Sequence, residues 1–393
     1  MAKRQPHAVI LFVLAAIAVA AAGLWWFFNP VPGPLRLTKT RFADVPGWSE
    51  TDAGAALSAF RRSCDALAKL PDTAAMGRYG GTLADWRPVC AAAKTATPAQ
   101  PRVFFEAWFT PFAVSAGRVK DGRFTGYYEP QIRGSHAQRG PYRTPVYARP
   151  DDLVTVDLGA FRPALKGESL AGRVDDGKLV PYASRAEIDA HGLSQARVLF
   201  YTDDPIALFF LHIQGSGRVI FSDGTAARVS YAAQNGQPYT AIGKTLIGRG
   251  VPRDGMSLQV IRAWLKSHPG EARAVMENDA SYVFFKEEPV GDPAFGAEGA
   301  EGVPLTPLAS LAVDLRLHAL GAPYFVSGGL DRLFVAQDTG GAIRGPVRGD
   351  VYFGFGPAAE AQAGTMDQTG RLTVLLPNPV AQRMKDETDF PGT

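Results

Sequence analysis

The sequence predicts a mainly β protein with two strand-rich blocks and a few helices. The chain contains 42 glycines and 30 prolines, which favour turns between short strands over a helical bundle. Short aromatic and β-branched segments recur after Gly122, and no fixed sequence period links them. Short strands at this density favour closed barrels over a doubly wound parallel sheet. A length of 393 residues is sufficient for two domains, each with its own core.

Residues 1–33 are predicted to form a region of their own. The uncharged run Ala8–Phe28 follows Lys3 and Arg4, ends in aromatic residues, and is long enough to cross a bilayer core of ~30 Å as a helix. A retained anchor places the rest of the chain outside the cytoplasm. A cleaved signal peptide is the alternative, because small residues near the end of the run offer a cleavage site. The prolines of residues 30–34 then predict a stiff linker.

The next part of the chain is predicted to be helical. Two helices are expected between residues 49 and 111, the first of them with Ser49 and Asp52 as candidate caps. The chain contains two cysteines, Cys64 and Cys90. In an oxidising compartment these could form one disulfide, and two buried thiols are the alternative. Neither cysteine belongs to a C-x-x-C pair, so no zinc ribbon or redox motif is predicted.

The middle of the chain is predicted to alternate strands with short helices. Short strands are expected over residues 122–182, and a capping box of Ser184 and Glu187 predicts one short helix that ends at a glycine. Residues 196–239 predict a β-meander, because their "SDG" and "QNG" turns suit hairpins. Helices are expected over residues 239–278, and strands then return for the C-terminal part.

Charge and motifs exclude several functional classes. The formal net charge is only +3, so no general affinity for nucleic acid is predicted. The "GKT" of residues 243–245 is preceded by Pro238 where a phosphate loop needs its first glycine. The "QGSGR" around Ser216 lacks the first glycine of a nucleophile elbow. The six histidines show no ligand spacing, so no metal or other cofactor is expected, and His212, in a predicted apolar strand, is interpreted as a core or groove residue.

The glycine-rich segment Gln337–Gly356 contains two candidate catalytic residues, Asp338 and Asp350. A carboxyl group can act as acid or base on a glycosidic bond, and partial desolvation keeps its acid form available. Glycines let the backbone approach a bulky ligand, and aromatic residues such as Tyr127 and Tyr128 offer flat faces to sugar rings. Aspartate beside glycine is also common turn chemistry, so a structural role is the alternative.

Six segments of the chain together resemble the membrane-bound lytic transglycosylase A family. They occur in the family's order within roughly residues 100 to 377. The segments are "FTGYYEP" (124–130), "LHIQGSGRV" (211–219), "NGQPYTAIGKTLIGRG" (235–250), "SYVFF" (281–285), "PLTPLASLAVD" (304–314) and "QDTGGAIRGPVRGDVYFGFG" (337–356). The last two resemble that family's three-aspartate module, matched here by Asp314, Asp338 and Asp350.

The resemblance implies two β-barrels with a large groove between them. One is a double-psi β-barrel built from residues 34–129 and 282–393, with the three-aspartate module at about 303–377. The other is a smaller β-barrel, specific to the family, inserted as residues 130–281. These expectations agree with the two strand-rich blocks separated by helices.

The resemblance also implies a reaction and a set of site residues. The reaction is non-hydrolytic cleavage of the β-1,4 bond between N-acetylmuramic acid and N-acetylglucosamine in peptidoglycan, with formation of a 1,6-anhydro ring. Asp350 matches the family's general acid and base, Asp338 a groove aspartate that binds sugar or tunes Asp350, and Asp314 a structural aspartate. The groove-lining positions implied are Tyr127, Tyr128, Glu129, Gln214, Gly215, Ser216, Gly340 and Gly341. Core packing is the alternative for both tyrosines, and the role of Glu129 is open.

The same resemblance implies a location in the cell envelope. Residues 8–28 would hold the protein to the inner membrane, facing the periplasm, or the chain would be secreted to the periplasm if they are cleaved. The run contains no cysteine for a lipid anchor of the kind that better-known family members use. The expected partners are peptidoglycan strands, the membrane, and proteins of cell-wall synthesis or division.

Two alternative functions remain at this stage. One is a non-catalytic, expansin-like protein that binds wall glycans. The other is a peptidoglycan hydrolase, which needs a second carboxylate to activate water, and Glu129 or Asp338 could serve. The choice between endo and exo cleavage and the need for a peptide stem are not predicted.

Overall fold

The computed structural model describes residues 33–390 except 98, 166, 167 and 293. The strands β1 to β18 are, in chain order, Leu35–Lys39, Phe109–Ala116, Asp121–Glu129, Gln131–Ser135, Thr144–Tyr147, Val154–Asp157, Ser169–Asp175, Lys178–Pro181, Val198–Thr202, Ser216–Phe221, Ala226–Gln234, Val283–Glu288, Ser310–Ala312, Pro323–Ser327, Arg332–Asp338, Arg348–Phe355, Asp367–Pro377 and Glu387–Phe390. The helices α1 to α10 are Gly54–Leu67, Leu83–Thr95, Pro101–Trp108, Arg185–His191, Pro205–Gln214, Ile242–Gly248, Leu258–Ser267, Pro269–Met276, Gly356–Thr365 and Asn378–Arg383. The protein is mainly β, as the sequence predicts.

The largest sheet closes into a barrel. Its strand order is β14-β15-β13-β16-β3-β17, and β17 pairs back onto β14. Two of the pairings, β13 with β15 and β16 with β3, are parallel, whereas the others around the barrel are antiparallel. Alternate residues of these strands, such as Phe124, Leu311 and Val351, are buried in the central core. The residues between them point to the outside of the barrel, and this outward face contains the candidate site.

The same sheet continues from β17 through β2 and β1 to β18, so the N-terminal and C-terminal strands lie side by side. Helices α1, α2 and α3 cover this extension through an aromatic cluster in which Phe60 contacts Trp86, Phe104 and Phe109. A disulfide joins Cys64 of α1 to Cys90 of α2. The helices are thereby tied to each other as well as to the barrel.

A second sheet, of strands β12-β11-β10-β4-β9-β5, is built from residues 131–288. A bridge between Ala148 and Phe285 joins its two edges, and the enclosed core includes Val146, Phe200 and Val219. A three-stranded sheet, β6-β7-β8, lies beside it. Helices α6, α7 and α8 pack with α5 in a separate apolar cluster.

The predicted β-meander is wrong in one segment, because Pro205–Gln214 forms helix α5. Asp204 caps this helix by accepting hydrogen bonds from the backbone amides of Ile206 and Ala207, and Gly215 ends it in a left-handed conformation with a φ of 78°. A continuous apolar run is compatible with a buried helix as well as with a strand. His212 therefore lies on a helix and not on a strand, buried beside Arg185.

Helices α2, α9 and α10 were not predicted from the sequence. A proline at position 88 lies inside α2, and α9 is rich in glycine and alanine and has no apolar stripe. Within the described residues, none of the helices combines the length and apolar character that a bilayer crossing requires. The predicted anchor, residues 8–28, lies outside the described part of the chain.

Candidate active site

Strand register brings the two candidate aspartates onto one face of the barrel. Asp350 of β16 lies opposite Thr125 of β3 on one side and opposite Ala312 of β13 on the other. Ala312 in turn lies opposite Asp338 of β15. Residues that are paired across strands point to the same face, and strands are ~4.8 Å apart, so the two aspartates lie about 10 Å apart along the sheet. The small side chain of Ala312 lies between them.

The Asp350 carboxyl group is held through one of its two oxygens. Its Oδ1 accepts a 2.7 Å hydrogen bond from the Thr125 hydroxyl. Thr125 Oγ1 itself accepts a 2.7 Å hydrogen bond from Arg348 Nη2, which directs the hydroxyl hydrogen towards Asp350. Within the described residues, Asp350 Oδ2 accepts no hydrogen bond, so it is available to a ligand.

The surroundings of Asp350 favour its acid form. Burial raises the pKa of this half-buried carboxyl group, and the negative charge of Asp338 adds to the rise. The hydrogen bond from Thr125 and the positive charge of Arg348 oppose the rise without cancelling it. A carboxyl group whose acid form is favoured in this way can donate a proton and then act as a base.

Asp338 differs from Asp350 because both of its oxygens are engaged. Its Oδ2 accepts a 2.7 Å hydrogen bond from the Tyr127 hydroxyl, and its Oδ1 accepts a 3.0 Å hydrogen bond from the Ala300 amide. Burial raises the pKa of Asp338 against these hydrogen bonds. The carboxyl group therefore fastens strand β3 and the loop around Ala300 to the end of β15.

Asp314 follows β13 and is fully buried. Its carboxylate accepts hydrogen bonds of 3.0 and 2.7 Å from the Arg316 guanidinium and one of 2.9 Å from the Gly345 amide. Burial opposes ionisation, but these donors keep the pKa of Asp314 below its ordinary value. The arrangement is that of a structural aspartate that holds the loop following Asp338.

The two neighbouring tyrosines have different surroundings. Tyr127 lies on the outward face, where its hydroxyl binds Asp338 and its ring packs 5.2 Å from that of Tyr352. Tyr128 points the other way and is only 1% exposed, packed against α9. Its amide donates a 2.9 Å hydrogen bond to Gln214 Oε1, which links β3 to the end of α5. The Tyr128 ring therefore has no open face for a sugar.

Glu129 is the least exposed of the residues that the family resemblance places in the groove. It is 0% exposed and lies 3.3 Å from Arg218 and 3.5 Å from Arg228. The Ala297 amide also donates a hydrogen bond to its Oε1. This buried cluster joins the end of the barrel strand β3 to two strands of the second sheet, and a carboxylate held in this way contacts no solvent.

The remaining implied residues fall into two groups. Gly215 ends α5, and Ser216, buried, begins β10. Gly340 and Gly341 follow Asp338, and Gly341 lines a cavity of about 480 Å³ between the second sheet and the loop after β15. The cavity is lined by Thr155, Glu168, Ser169, Ala171, Tyr231, Gln234, Gly236, Gln237, Pro238, Tyr239, Ser281, Gly341, Ala342 and Arg344.

Three residues of this site were not predicted from the sequence. Thr125 and Arg348 lower the pKa of Asp350 against the effect of burial, and Tyr239, which lines the cavity, interacts electrostatically with Asp350. Burial, and then the charges of Asp279 and Asp350, raise the pKa of the Tyr239 hydroxyl to about 12. Thr125 and Arg348 lie within or beside the quoted motifs, but their contacts depend on pairing between strands more than 200 residues apart.

Two family models match the chain. The one described as the MltA specific insert domain matches residues 123–286, and the one described as the 3D domain matches residues 309–376. The membrane-bound lytic murein transglycosylase A of Escherichia coli K12 is 35% identical over 291 residues, which are 70% of this chain and 70% of that protein. The corresponding Vibrio cholerae protein is 33% identical over 269 residues, or 64% of each chain.

Solved structures show the same fold. A membrane-bound lytic murein transglycosylase from Agrobacterium tumefaciens superimposes with a TM-score of 0.78 at 32% identity, covering 88% of this chain and 99% of that chain. MltA of Escherichia coli with bound chitohexaose gives a TM-score of 0.60 at 29% identity, covering 82% and 90%. The class that fold and sequence define is the lytic transglycosylases. Within it, the chain belongs to the membrane-bound lytic murein transglycosylase A family.

Proposed function

We propose that this protein is a peptidoglycan lytic transglycosylase in which Asp350 is the single acid and base. The observation that carries the assignment is the contrast between the two aspartates. Burial raises the pKa of both carboxyl groups, but among the described residues Asp350 has an oxygen without a hydrogen bond, whereas both oxygens of Asp338 are occupied. The family membership supports the reaction, and the bound chitohexaose of the Escherichia coli protein supports a glycan substrate.

The reaction needs one proton donor and consumes no water. Asp350 gives its proton to the oxygen of the β-1,4 bond as that oxygen leaves C1 of the N-acetylmuramic acid residue. The resulting carboxylate then takes the proton of the C6 hydroxyl of the same sugar, and that oxygen attacks C1. A tethered nucleophile has a large effective concentration, which removes the need for an activated water. The carboxyl group ends protonated, ready for another turnover.

A hydrolase is the less favoured function because neither of the other candidate carboxylates is free to activate water. Hydrolytic glycosidases use a second carboxylate that faces the sugar across the scissile bond. Asp338 is bound at both oxygens, and Glu129 is buried with two arginines. A water held by either group would have no open carboxylate oxygen to which it could give its proton.

We propose that the glycan strand runs along the cavity between the second sheet and the loop after β15. The cavity contains tyrosines and amide side chains, which suit sugar rings and their hydroxyl groups. In this assignment the residues 34–129 and 282–393 form the catalytic domain, and residues 130–281 supply the opposite wall. In this assignment Asp338 and Tyr127 hydrogen-bond to each other and stabilise the position of the strands around Asp350, and neither of them stacks on a sugar.

The proposed site of action is the cell envelope. The curated relatives are named membrane-bound, which supports attachment to a membrane. We propose that residues 8–28 are the anchor and that the rest of the chain faces peptidoglycan from the periplasmic side. Partners among the proteins of wall synthesis or division remain a prediction from the family resemblance.

The test is a digestion of purified peptidoglycan by the full chain and by Asp350→Ala, analysed by mass spectrometry. Products lighter than hydrolysed muropeptides by one molecule of water, and lost in the variant, are the expected result. Reducing-end products would identify a hydrolase. Retained turnover in Asp350→Ala would move the acid to Asp338 or another carboxyl group. Circular dichroism of the variant checks that its fold is intact.

A further inference from the structure

A surface segment, residues 296–305, connects the candidate site to a buried polar network. The Gly296 amide donates a hydrogen bond to the Leu305 carbonyl, which closes the segment into a hairpin-like loop. Its Ala300 amide is the donor that binds Asp338. The Glu301 amide donates to the carbonyl of Gln337, which immediately precedes Asp338. The position of Asp338 is therefore coupled to the position of this loop.

The close approach of this segment to β15 depends on a glycine. A Cβ atom on Gly299 would lie 2.4 Å from the Gln337 carbonyl oxygen, so a side chain there would push the loop outwards. Ala300 and Glu298 are exposed, and the segment lies at the protein surface. The segment can therefore move outwards into solvent. The contacts that hold it against the barrel determine whether the Ala300 amide stays hydrogen-bonded to Asp338.

One of those contacts is made by the Glu301 side chain. Its Oε2 accepts a 2.6 Å hydrogen bond from the Ser63 hydroxyl of α1. Ser63 Oγ accepts a 2.9 Å hydrogen bond from Gln337 Nε2, and Gln337 Oε1 accepts one of 2.6 Å from the Ser310 hydroxyl. Ser63, Gln337 and Ser310 are fully buried, so Glu301 inserts its carboxyl group at the end of a chain of oriented donors.

The network compensates a negative charge on Glu301 only in part. Glu301 Oε1 is buried and has no hydrogen-bond partner in the described part of the chain. A carboxylate would need donors at both oxygens or a cation, and no ion pair within 4.0 Å involves Glu301 among the described residues. Burial raises the pKa of Glu301 to about 7, against the effects of the Ser63 hydroxyl and the Gln337 side chain, which both lower it.

The charged groups around Glu301 do not change this conclusion. On α1 the neighbouring charge is Arg62, whose guanidinium binds the Thr306 hydroxyl and stacks 4.4 Å above the ring of Phe295. On β15 the neighbouring charged residue is Asp338. On the segment itself the neighbouring charged residue is Glu298, whose carboxylate lies 3.8 Å from the Lys286 ammonium group. The turn around Gly321, whose Cβ would lie 2.8 Å from Glu301 Oε1, has no ionisable side chain.

We propose that Glu301 is a positioning residue whose protonated side chain locks the 296–305 segment and thereby holds Asp338 beside Asp350. Ionisation places in the network a charge that its hydrogen-bond donors compensate only in part, and the carboxylate becomes solvated when it moves outwards with the segment. The Ala300 amide then leaves Asp338. The enzyme therefore loses activity as the pH rises through the titration of Glu301, in addition to any loss from Asp350 itself. This inference rests on the proposed function for its activity readout.

The test compares kcat/KM for anhydro-muropeptide release by Glu301→Gln and the wild type as the pH is raised. Glutamine has the shape of the neutral carboxyl group and cannot ionise. With a pKa of about 7, roughly nine-tenths of Glu301 is ionised at about pH 8, so the ratio of variant to wild type should rise about tenfold between about pH 5.5 and about pH 8. A ratio independent of pH overturns the proposal.

Glu298→Gln is the matched control, because it removes an exposed carboxylate from the same segment and should leave the ratio flat. Should Glu301→Gln fail to fold, Ser63→Ala provides a second test. Loss of the Ser63 hydroxyl removes one of the contacts that hold the segment and also a donor that lowers the pKa of Glu301, so the activity of the variant relative to the wild type should be reduced below about pH 7 and should rise above it. A flat or falling ratio for Ser63→Ala counts against the proposal.

Hydrogen exchange separates this proposal from the proposed function. In the wild type the amides of residues 296–305 should lose protection above about pH 7 relative to Glu301→Gln, after correction for intrinsic exchange. This readout needs no substrate. If peptidoglycan yields no anhydro products, the proposed function fails while the exchange measurement still tests Glu301. Equal protection in the two proteins across this range overturns the role of Glu301 even if the enzyme is active.

Discussion

Replacement of Thr125 by valine tests how the protonation of Asp350 is set. Valine keeps the shape of threonine and removes the hydroxyl that donates the 2.7 Å hydrogen bond to Asp350 Oδ1. That bond stabilises the carboxylate form, so its loss raises the pKa of Asp350. A hydrogen bond to a charged acceptor contributes about 1.5–3 kcal/mol, and ~1.4 kcal/mol corresponds to one pH unit, so the pKa should rise by about one to two.

The direct assay is a carbon-13 titration of aspartate side-chain carboxyl groups, with the Asp350 signal assigned from its absence in Asp350→Asn. The midpoint of that signal should move upwards in Thr125→Val. Thr369→Val, which changes an exposed threonine of the same barrel, should leave the midpoint in place. A midpoint that stays constant or moves downwards in Thr125→Val would show that the hydroxyl does not stabilise the carboxylate, and the account of the site would have to change.

Two further predictions concern the other carboxyl groups. Asp338→Asn removes a negative charge that raises the pKa of Asp350, so the Asp350 midpoint should fall, opposite in sign to the effect of Thr125→Val, and an upward movement would contradict the charge argument. Glu129→Ala removes the carboxylate that balances the charges of the buried Arg218 and Arg228, and urea unfolding at neutral pH should show a loss of about 3–5 kcal/mol. Asp367→Ala breaks an exposed ion pair and serves as its control, with an expected loss below about 1 kcal/mol. Equal losses in these last two variants would mean that the Glu129 cluster is not a buried charge network.

Elements with local signals were predicted well from the sequence. The capping box of Ser184 and Glu187 is present at the start of α4, and Gly192 ends that helix. The C-terminal strands follow their β-branched and aromatic segments, and some of them, such as Pro323–Ser327, are buried along their whole length. The domain boundaries at residues 130 and 281 stay predictions, as do the roles of the individual groove residues.

Elements without a local signal were missed. The apolar run of α5 is compatible with strand or helix, and its packing against α6, α7 and α8 decides for the helix. Helix α9 has no amphipathic pattern in its sequence, because its buried side is formed by small alanines instead of large apolar residues. These alanines pack against Tyr128. In both cases tertiary contacts supplied the free energy that local preference did not specify.

The sequence by itself determined which chemistry is present: the aspartates of the glycine-rich segment, the family motifs around them, and the mainly β architecture. Only the tertiary structure decided which aspartate is available, because that depends on hydrogen-bond donors brought by strand register. Thr125 reaches Asp350 across 225 positions of sequence, and Ser63 reaches Glu301 across 238. No local pattern encodes such pairings, and in the case of Thr125 a shift of one residue in register would turn the side chain to the opposite face of the sheet.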